Sequence, residues 1–154
     1  MWIRKDLLEK NGLEVPKTWD ELYDTAKALT KDGVYGLSFP CGTNDFQATF
    51  FLDFYVRSGG GSLLTDDLKA NLTSDLAIDG INYWVKVYND CSPKDSINFD
   101  VLDQATLYYQ ARPHLILTPA SRFQALQPTH RTCFSMWTAT RFQRSTRTTR
   151  TRES

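Results

Sequence analysis

Histidine is nearly absent from this 154-residue chain: there are two, His114 and His130, both in its last third. The first 111 residues hold none, and they also lack a Gly-Lys-Ser/Thr phosphate loop and any Cys/His cluster with metal-ligand spacing. A histidine general base, a phosphate cradle and a zinc centre therefore have nothing to be built from there. Cysteine is scarce too. Cys41, Cys91 and Cys133 are odd in number and far apart, which excludes a disulfide framework. There is no uncharged apolar run of about 18 residues, so no membrane-spanning helix is expected. Trp2-Ile3-Arg4-Lys5-Asp6 puts charges where the apolar part of a signal peptide would lie, so no leader is expected at this start.

What is present divides sharply. The formal net charge is zero, yet residues 1–111 carry eight Lys and two Arg against 17 Asp and Glu, a net of −7. Residues 112–154 carry eight Arg, no Lys and one acid, Glu153, a net of +7. Patterned globular sequence gives way at the same point to low-complexity Thr, Arg, Gln and Ser. Two domains are expected: a patterned part over 1–110 and an arginine-rich tail over 111–154. Arginine clusters attract phosphate, which offers a nucleic-acid arm as one reading of the tail. A shifted reading frame is the other. If one base was lost near Ala111, the tail's codons are compatible with Gly-Lys-Thr-Ala-Phe and a further acidic, glycine-containing segment in the restored frame. Met136-Trp137-Thr138 then forces Val-Asp with no freedom of codon choice. The frameshift is the reading adopted. It removes any chemical role from His114, His130 and Cys133, expects poor order beyond about residue 112, and leaves nucleic acid out of the partners.

The patterned part parses into alternating helices and short strands. Trp2 to Asp6 is an extended segment, and Leu7, Leu8 and Lys10 form a short helical turn ended by Gly12. Thr18-Trp19-Asp20-Glu21 is a capping box, and behind it Trp19, Leu22, Tyr23, Ala26 and Leu29 share one helical face, with Gly33 as the stop. Val34 to Phe39 is a strand. Cys41-Gly42-Thr43 is a loop, and Asn44 caps a helix whose Gln47, Phe50, Phe51 and Phe54 share a face. Ser58-Gly59-Gly60-Gly61-Ser62 breaks it. Leu63-Leu64 and Ala70-Asn71-Leu72 flank an acidic turn as a hairpin. Ser74 caps a third helix with Ala77, Ile81, Trp84, Val85 and Tyr88 on one face. A fourth helix begins near Asn98 to Asp100 and buries Val101, Ala105 and Tyr108. This alternation indicates α/β layer packing.

Several of these segments resemble a known family. Trp2-Ile3-Arg4-Lys5-Asp6-Leu7-Leu8, followed by Val15-Pro16-Lys17-Thr18-Trp19-Asp20-Glu21-Leu22, is similar to the extracellular solute-binding proteins of bacterial ABC importers, of the maltose-binding type. Tyr35-Gly36-Leu37, Ser58-Gly59-Gly60 and Leu107-Tyr108-Tyr109-Gln110 resemble later family segments, and the Gly-Lys-Thr-Ala-Phe of the restored frame would complete the last of them. The resemblance covers about residues 1–110. It implies one incomplete lobe of the type II periplasmic-binding-protein fold, in a parent protein that closes two lobes on a ligand. It implies a sugar or oligosaccharide ligand (a polyol or glycerol phosphate stays open), ABC permease subunits as partners, and no cofactor, metal or catalytic residue. The parent would be extracytoplasmic, periplasmic or lipid-anchored.

Carried onto this chain, the resemblance points to Asn44, Asp45, Gln47 and Phe50 at a cleft-facing helix start, and to Phe99 as a stacking aromatic. Sugars need aromatic faces against their C–H side and planar polar groups for their hydroxyls, and these residues supply both. Each has a purely structural alternative. Asn44 and Asp45 are ordinary helix caps, and Phe50 shares a core stripe with Phe51 and Phe54. Two other function classes stand beside this one: a glycoside-acting enzyme using two carboxylates, and an interaction module with no small-molecule ligand.

Overall fold

The computed structural model describes residues 2–43, 47–109, 113–116 and 134–136. Strand β1 (Trp2–Arg4) runs directly into helix α1 (Lys5–Lys10). Helix α2 (Trp19–Leu29) starts where the capping box requires: the Glu21 amide donates to Thr18 Oγ1 at 3.1 Å, and the Lys17 amide donates to Glu21 Oε2 at 2.6 Å. Its predicted face is the observed one, with Trp19, Leu22, Tyr23, Ala26 and Leu29 all buried. Gly33 is not the stop, however. The helix ends at Leu29, where Thr30 caps it by donating its hydroxyl to the Ala26 carbonyl at 2.8 Å, and Gly33 serves the following turn with φ of 76°.

Strand β2 (Tyr35–Ser38) lies so close to α2 that a Cβ on Gly36 would stand 1.7 Å from the Ala26 carbonyl oxygen. Only glycine fits that contact. Helices α3 (Gln47–Ser58), α4 (Asp75–Cys91) and α5 (Val101–Tyr109) follow, with a 3-10 turn at Lys94–Asn98 before α5. The expected hairpin is present as a bridge between Leu64 and Ala70.

Strands β3 (Pro113–Ile116) and β4 (Phe134–Met136) complete a four-stranded sheet of order β2-β3-β1-β4. β3 pairs parallel with β2 (Leu37 opposite Leu115) and antiparallel with β1 (Ile3 opposite Leu115). Of residues 112–154, the described ones are these two strands, 113–116 and 134–136. The rest of the arginine-rich stretch lies outside the described residues.

The core is aromatic. Trp19 sits 5.3 to 5.6 Å, centroid to centroid, from Tyr55, Tyr83 and Trp84, while Phe39, Phe51 and Trp84 form a second triad at 5.1 to 5.6 Å. Each buried indole N–H has an acceptor, Ser58 Oγ for Trp19 at 2.7 Å and the Phe51 carbonyl for Trp84 at 3.0 Å, as burial of a polar atom demands. This packing sets the rotation of α3 and α4, and it differs from the predicted stripes. On α3, Phe51 and Val56 point inward, while Phe50 and Phe54 are 40% and 48% exposed. On α4, Ala77, Gly80, Trp84, Val87 and Cys91 are buried, and Ile81 and Val85 are 44% and 53% exposed. A Cβ on Gly80 would come within 2.8 Å of Leu52 and 3.0 Å of Tyr55, which marks the crossing point of the two helices.

Candidate functional site

The carboxyl end of β2, beside the parallel neighbour β3, is where an open α/β sheet presents ligand-binding loops. Here that end is pinned from two directions. Ser92, just past α4, donates its hydroxyl to the Leu37 carbonyl at 3.0 Å. Gln104, on α5 and fully buried, donates its side-chain amide to the Ser38 carbonyl. The chain then leaves through Phe39 and Pro40 into the loop Cys41–Thr43.

That loop is held to the segment after α4 by two backbone hydrogen bonds. The Cys41 amide donates to the Ser96 carbonyl at 3.1 Å, and the Gly42 amide donates to the Phe99 carbonyl at 3.0 Å. The approach is close because residue 42 has no side chain: a Cβ there would lie 2.8 Å from the Phe99 oxygen and 3.2 Å from that of Asn98. The loop that leads into α3 and the segment that carries Phe99 are thus one wall, although some fifty residues separate them in sequence.

Of the expected ligand contacts, Asn44 and Asp45 lie outside the described residues. Gln47 opens α3. Phe50 follows within its first turn and is 40% exposed, so the core reading of Phe50 is corrected: Phe51 takes the core position beside Phe39 and Trp84. Phe99 is half-buried and caps the 3-10 turn. The next helix is capped by Asp100, whose carboxylate accepts from the amides of Leu102 and Asp103 at 2.7 and 2.9 Å. Val101, Ala105 and Tyr108, the predicted buried face of α5, have no described side chains, and the α5 residue found in the interior is polar, Gln104. Gly42 and Gln104 were missed as site-forming residues. A glycine between a strand-ending proline and a helix cap, and one glutamine on an apolar helical face, were the available signals.

Burial pushes the Cys41 thiol up to about 12 and the Cys91 thiol up to about 11, so both stay protonated and unreactive. Burial also raises the Tyr83 hydroxyl well above its ordinary value. The charged cluster on the α2–α4 surface is a latch. The Tyr23 hydroxyl donates to Asp90 at 2.5 Å, Lys27 reaches Asp90 at 3.3 Å, and Lys86 stands 3.7 Å above the Tyr23 ring. The Tyr23 hydrogen bond, then Lys27, hold the Asp90 carboxyl below its usual range. Among the described residues no group of three or more His, Cys, Asp or Glu could hold a metal ion, and no helix is long and apolar enough to cross a membrane.

Comparison with known proteins bears on the family and the fold. The profile of the family "Bacterial extracellular solute-binding protein" matches residues 1–126. The diacetylchitobiose-binding protein NgcE of Streptomyces coelicolor is 30% identical over 83 residues, 53% of this chain and 18% of that protein. The ABC transporter periplasmic-binding protein YcjN of Escherichia coli is 27% identical over 105 residues, 67% of this chain and 24% of that protein. Among solved structures, an ABC transporter solute-binding protein from Agrobacterium radiobacter in complex with ribitol superposes with a TM-score of 0.68 at 26% identity, over 75% of this chain and 29% of its own. The chain thus spans less than a third of the length of each of these relatives. They are binding proteins and not enzymes, and their fold is the periplasmic-binding-protein fold, of which this α/β unit reproduces a part. With a match over more than four-fifths of its length, this chain belongs to the family of bacterial extracellular solute-binding proteins.

Proposed function

We propose that residues 1–110 form one wall of a two-lobed cleft that captures a sugar, oligosaccharide or polyol outside the cytoplasm and delivers it to the permease subunits of an ABC importer. The observation that carries this reading is the junction of the Cys41–Thr43 loop with Phe99. The Gly42–Phe99 hydrogen bond joins the loop that precedes α3 to an aromatic residue half-exposed at a helix junction, and Gln47 and Phe50 at the start of α3 are read as belonging to the same wall. Asn44 and Asp45 follow that loop directly in sequence and would add the planar polar groups that ring hydroxyls need. The ligands in the names of the relatives, diacetylchitobiose and ribitol, are both rich in hydroxyl groups. Closure would then be driven by a ligand that contacts both lobes, because its differential affinity for the closed form is the only source of the shift.

One lobe offers half of those contacts, so this chain alone is expected to bind sugars weakly, with a dissociation constant above about 1 mM. The test is calorimetric titration of the complete two-lobed protein with ribitol, maltose and diacetylchitobiose, alongside a turnover assay. Micromolar binding of one of them, weakened at least tenfold by Phe99→Ala and by Asp45→Asn, is the expected result. Product release, or affinity indifferent to both substitutions, would sink the proposal. The arginine-rich stretch is read in the same proposal as the product of a shifted frame, and resequencing the coding DNA around codon 111 decides it: restoration of Gly-Lys-Thr-Ala-Phe is expected.

A further inference from the structure

Asn11 is the one asparagine of six that is followed by glycine. Such a pair is chemically labile, because glycine offers no side chain to hinder attack of its nitrogen on the preceding side-chain amide. Here the pair ends α1. Gly12 has φ of 66°, and two backbone bonds close a Schellman cap around it: the Gly12 amide donates to the Glu9 carbonyl at 3.0 Å, and the Leu13 amide to the Leu8 carbonyl at 2.9 Å. The Asn11 side chain is held as well. Its Nδ2 donates to the Leu7 carbonyl at 2.8 Å, and its Oδ1 accepts from Lys31 Nζ at 2.9 Å. Leu8 is in the core cluster, and Leu13 packs against that cluster.

We infer that Asn11–Gly12 is a self-modification site whose reaction is gated by the cap of α1. The reaction needs no partner but water. The Gly12 nitrogen gives its proton to hydroxide and attacks Asn11 Cγ. The new N–Cγ bond closes a five-membered succinimide, and the Cγ–Nδ2 bond breaks, releasing ammonia that takes a proton back from water. Water then opens the ring. Hydrolysis at Cγ leaves an aspartate at position 11; hydrolysis at the backbone carbonyl leaves an isoaspartate, with the main chain routed through Cβ. One water is consumed and one ammonia released.

In the folded chain the attacking N–H is committed to Glu9 and the target amide to Leu7. The ring therefore closes only from states in which the last turn of α1 has opened. That turn is a local unit of low stability, since a helix of six residues stands only on its tertiary contacts. The product cannot rebuild the cap. A carboxylate at position 11 has no proton to donate to the Leu7 carbonyl, and it puts negative charge at a helix C-terminus, the unfavourable end; Lys31 offsets part of that. Isoaspartate adds a backbone atom inside the turn, so the bonds of Gly12 to Glu9 and of Leu13 to Leu8 cannot both re-form. An opening that is reversible in itself becomes permanent, in the segment that joins β1 to α2.

The test follows the full chain at mildly alkaline pH, folded in buffer and unfolded in guanidinium chloride. The tryptic peptide Asn11–Lys17 is weighed for the amide-to-acid mass gain, and its isoaspartate is counted by enzymatic methylation. Conversion is expected to be at least tenfold slower in buffer. Leu13→Ala, which weakens the anchor of the cap, should speed the reaction in buffer at least threefold and leave the rate in denaturant unchanged. Asn11→Gln should abolish it, and Asn11→Asp, which installs one product, should lower Tm by about 3 °C. Should Leu13→Ala fail to fold by circular dichroism, Leu13→Val takes its place, with a smaller effect of the same sign. Equal rates in buffer and denaturant would overturn the gating, and a rate in buffer unmoved by the Leu13 variants would overturn the role of the cap. Absence of conversion in denaturant would overturn the site itself. Nothing here involves Phe99 or the ligand, so this inference and the ligand wall can fail separately.

Discussion

Replacing Gly42 by alanine puts the site geometry to a test of sign. Gly42 does not have the left-handed backbone that penalises a side chain. In open space, Gly→Ala at such a position would stabilise the fold by about 0.4–1 kcal/mol, because the unfolded chain loses freedom. Here the new methyl group would meet backbone atoms only, the Phe99 oxygen at 2.8 Å and the Asn98 oxygen and carbon at 3.2 and 3.3 Å. Backbone cannot rotate aside as a side-chain tip can. Restoring a normal contact needs a displacement of roughly 0.6 Å, which costs about 1–3 kcal/mol as overpacking. It also stretches the Gly42–Phe99 hydrogen bond of 3.0 Å, a loss of about 1 kcal/mol. After the entropic gain is subtracted, a net loss of about 1–3 kcal/mol remains. For a chain of this size that is a fall in Tm of about 3–10 °C. Gly61→Ala is the control, since its close neighbour at 2.7 Å is the Leu76 methyl, the end of a flexible side chain. Differential scanning fluorimetry reads the stability. In the complete protein, calorimetry reads the ligand affinity, expected to fall along with stability because Phe99 moves. A rise in Tm for Gly42→Ala with affinity intact would refute the picture of one continuous wall.

Other perturbations probe the supports of that wall. Gln104→Leu leaves the Ser38 carbonyl buried without its Gln104 donor and is expected to cost about 1–3 kcal/mol in urea denaturation. Asp90 has a depressed carboxyl, so its contribution to stability is present above the ordinary carboxylate range and is lost as pH falls through the lowered value. Asp90→Asn should accordingly flatten the acid limb of the stability–pH curve and leave the neutral region little changed. Lys27 runs the other way: its raised ammonium stabilises below the ordinary lysine value of 10.5 and ceases to do so only as pH rises through the higher folded value. Thiol titration at pH 8 in a Cys133→Ser background should find Cys41 and Cys91 slow to react in the folded chain and fast in denaturant, since their thiols sit at about 12 and about 11. Rapid native labelling would show that the loop and the end of α4 open more readily than the packing suggests.

The parts of this fold that could be read from residues alone are those decided locally. The α2 capping box, the Ser74 cap of α4 and the Leu64–Ala70 hairpin depend on neighbours a few positions away, and each is found where the spacing put it. Trp19, Leu22, Tyr23, Ala26 and Leu29 were legible because α2 has a single apolar face, which the structure buries whole. Gly36 and Gly42 were not legible in the same way. Their requirement comes from Ala26 and Phe99, and no local pattern announces a partner ten or fifty-seven residues off. The proposed ligand wall has the same character: it joins the Cys41–Thr43 loop to the Ser96–Phe99 segment by backbone hydrogen bonds across more than fifty residues of sequence.

The helices that were rotated incorrectly show why burial cannot be inferred from apolarity when a fold has more than two layers. On α4, Ala77, Trp84 and Val87 form one apolar stripe, and Ile78, Ile81 and Val85 form another roughly a quarter-turn or more away. A periodicity argument allots such a helix one core face and must divide the residues arbitrarily, which is how Ile81 and Val85 came to be grouped with Trp84. The same ambiguity produced the Phe50–Phe51–Phe54 grouping on α3, of which Phe51 alone reaches the aromatic triad. A helix that is apolar over so much of its circumference is built to be covered on two sides. One side faces the sheet and α2. The other, with Ile81 and Val85, lines an open apolar groove between α3 and α4.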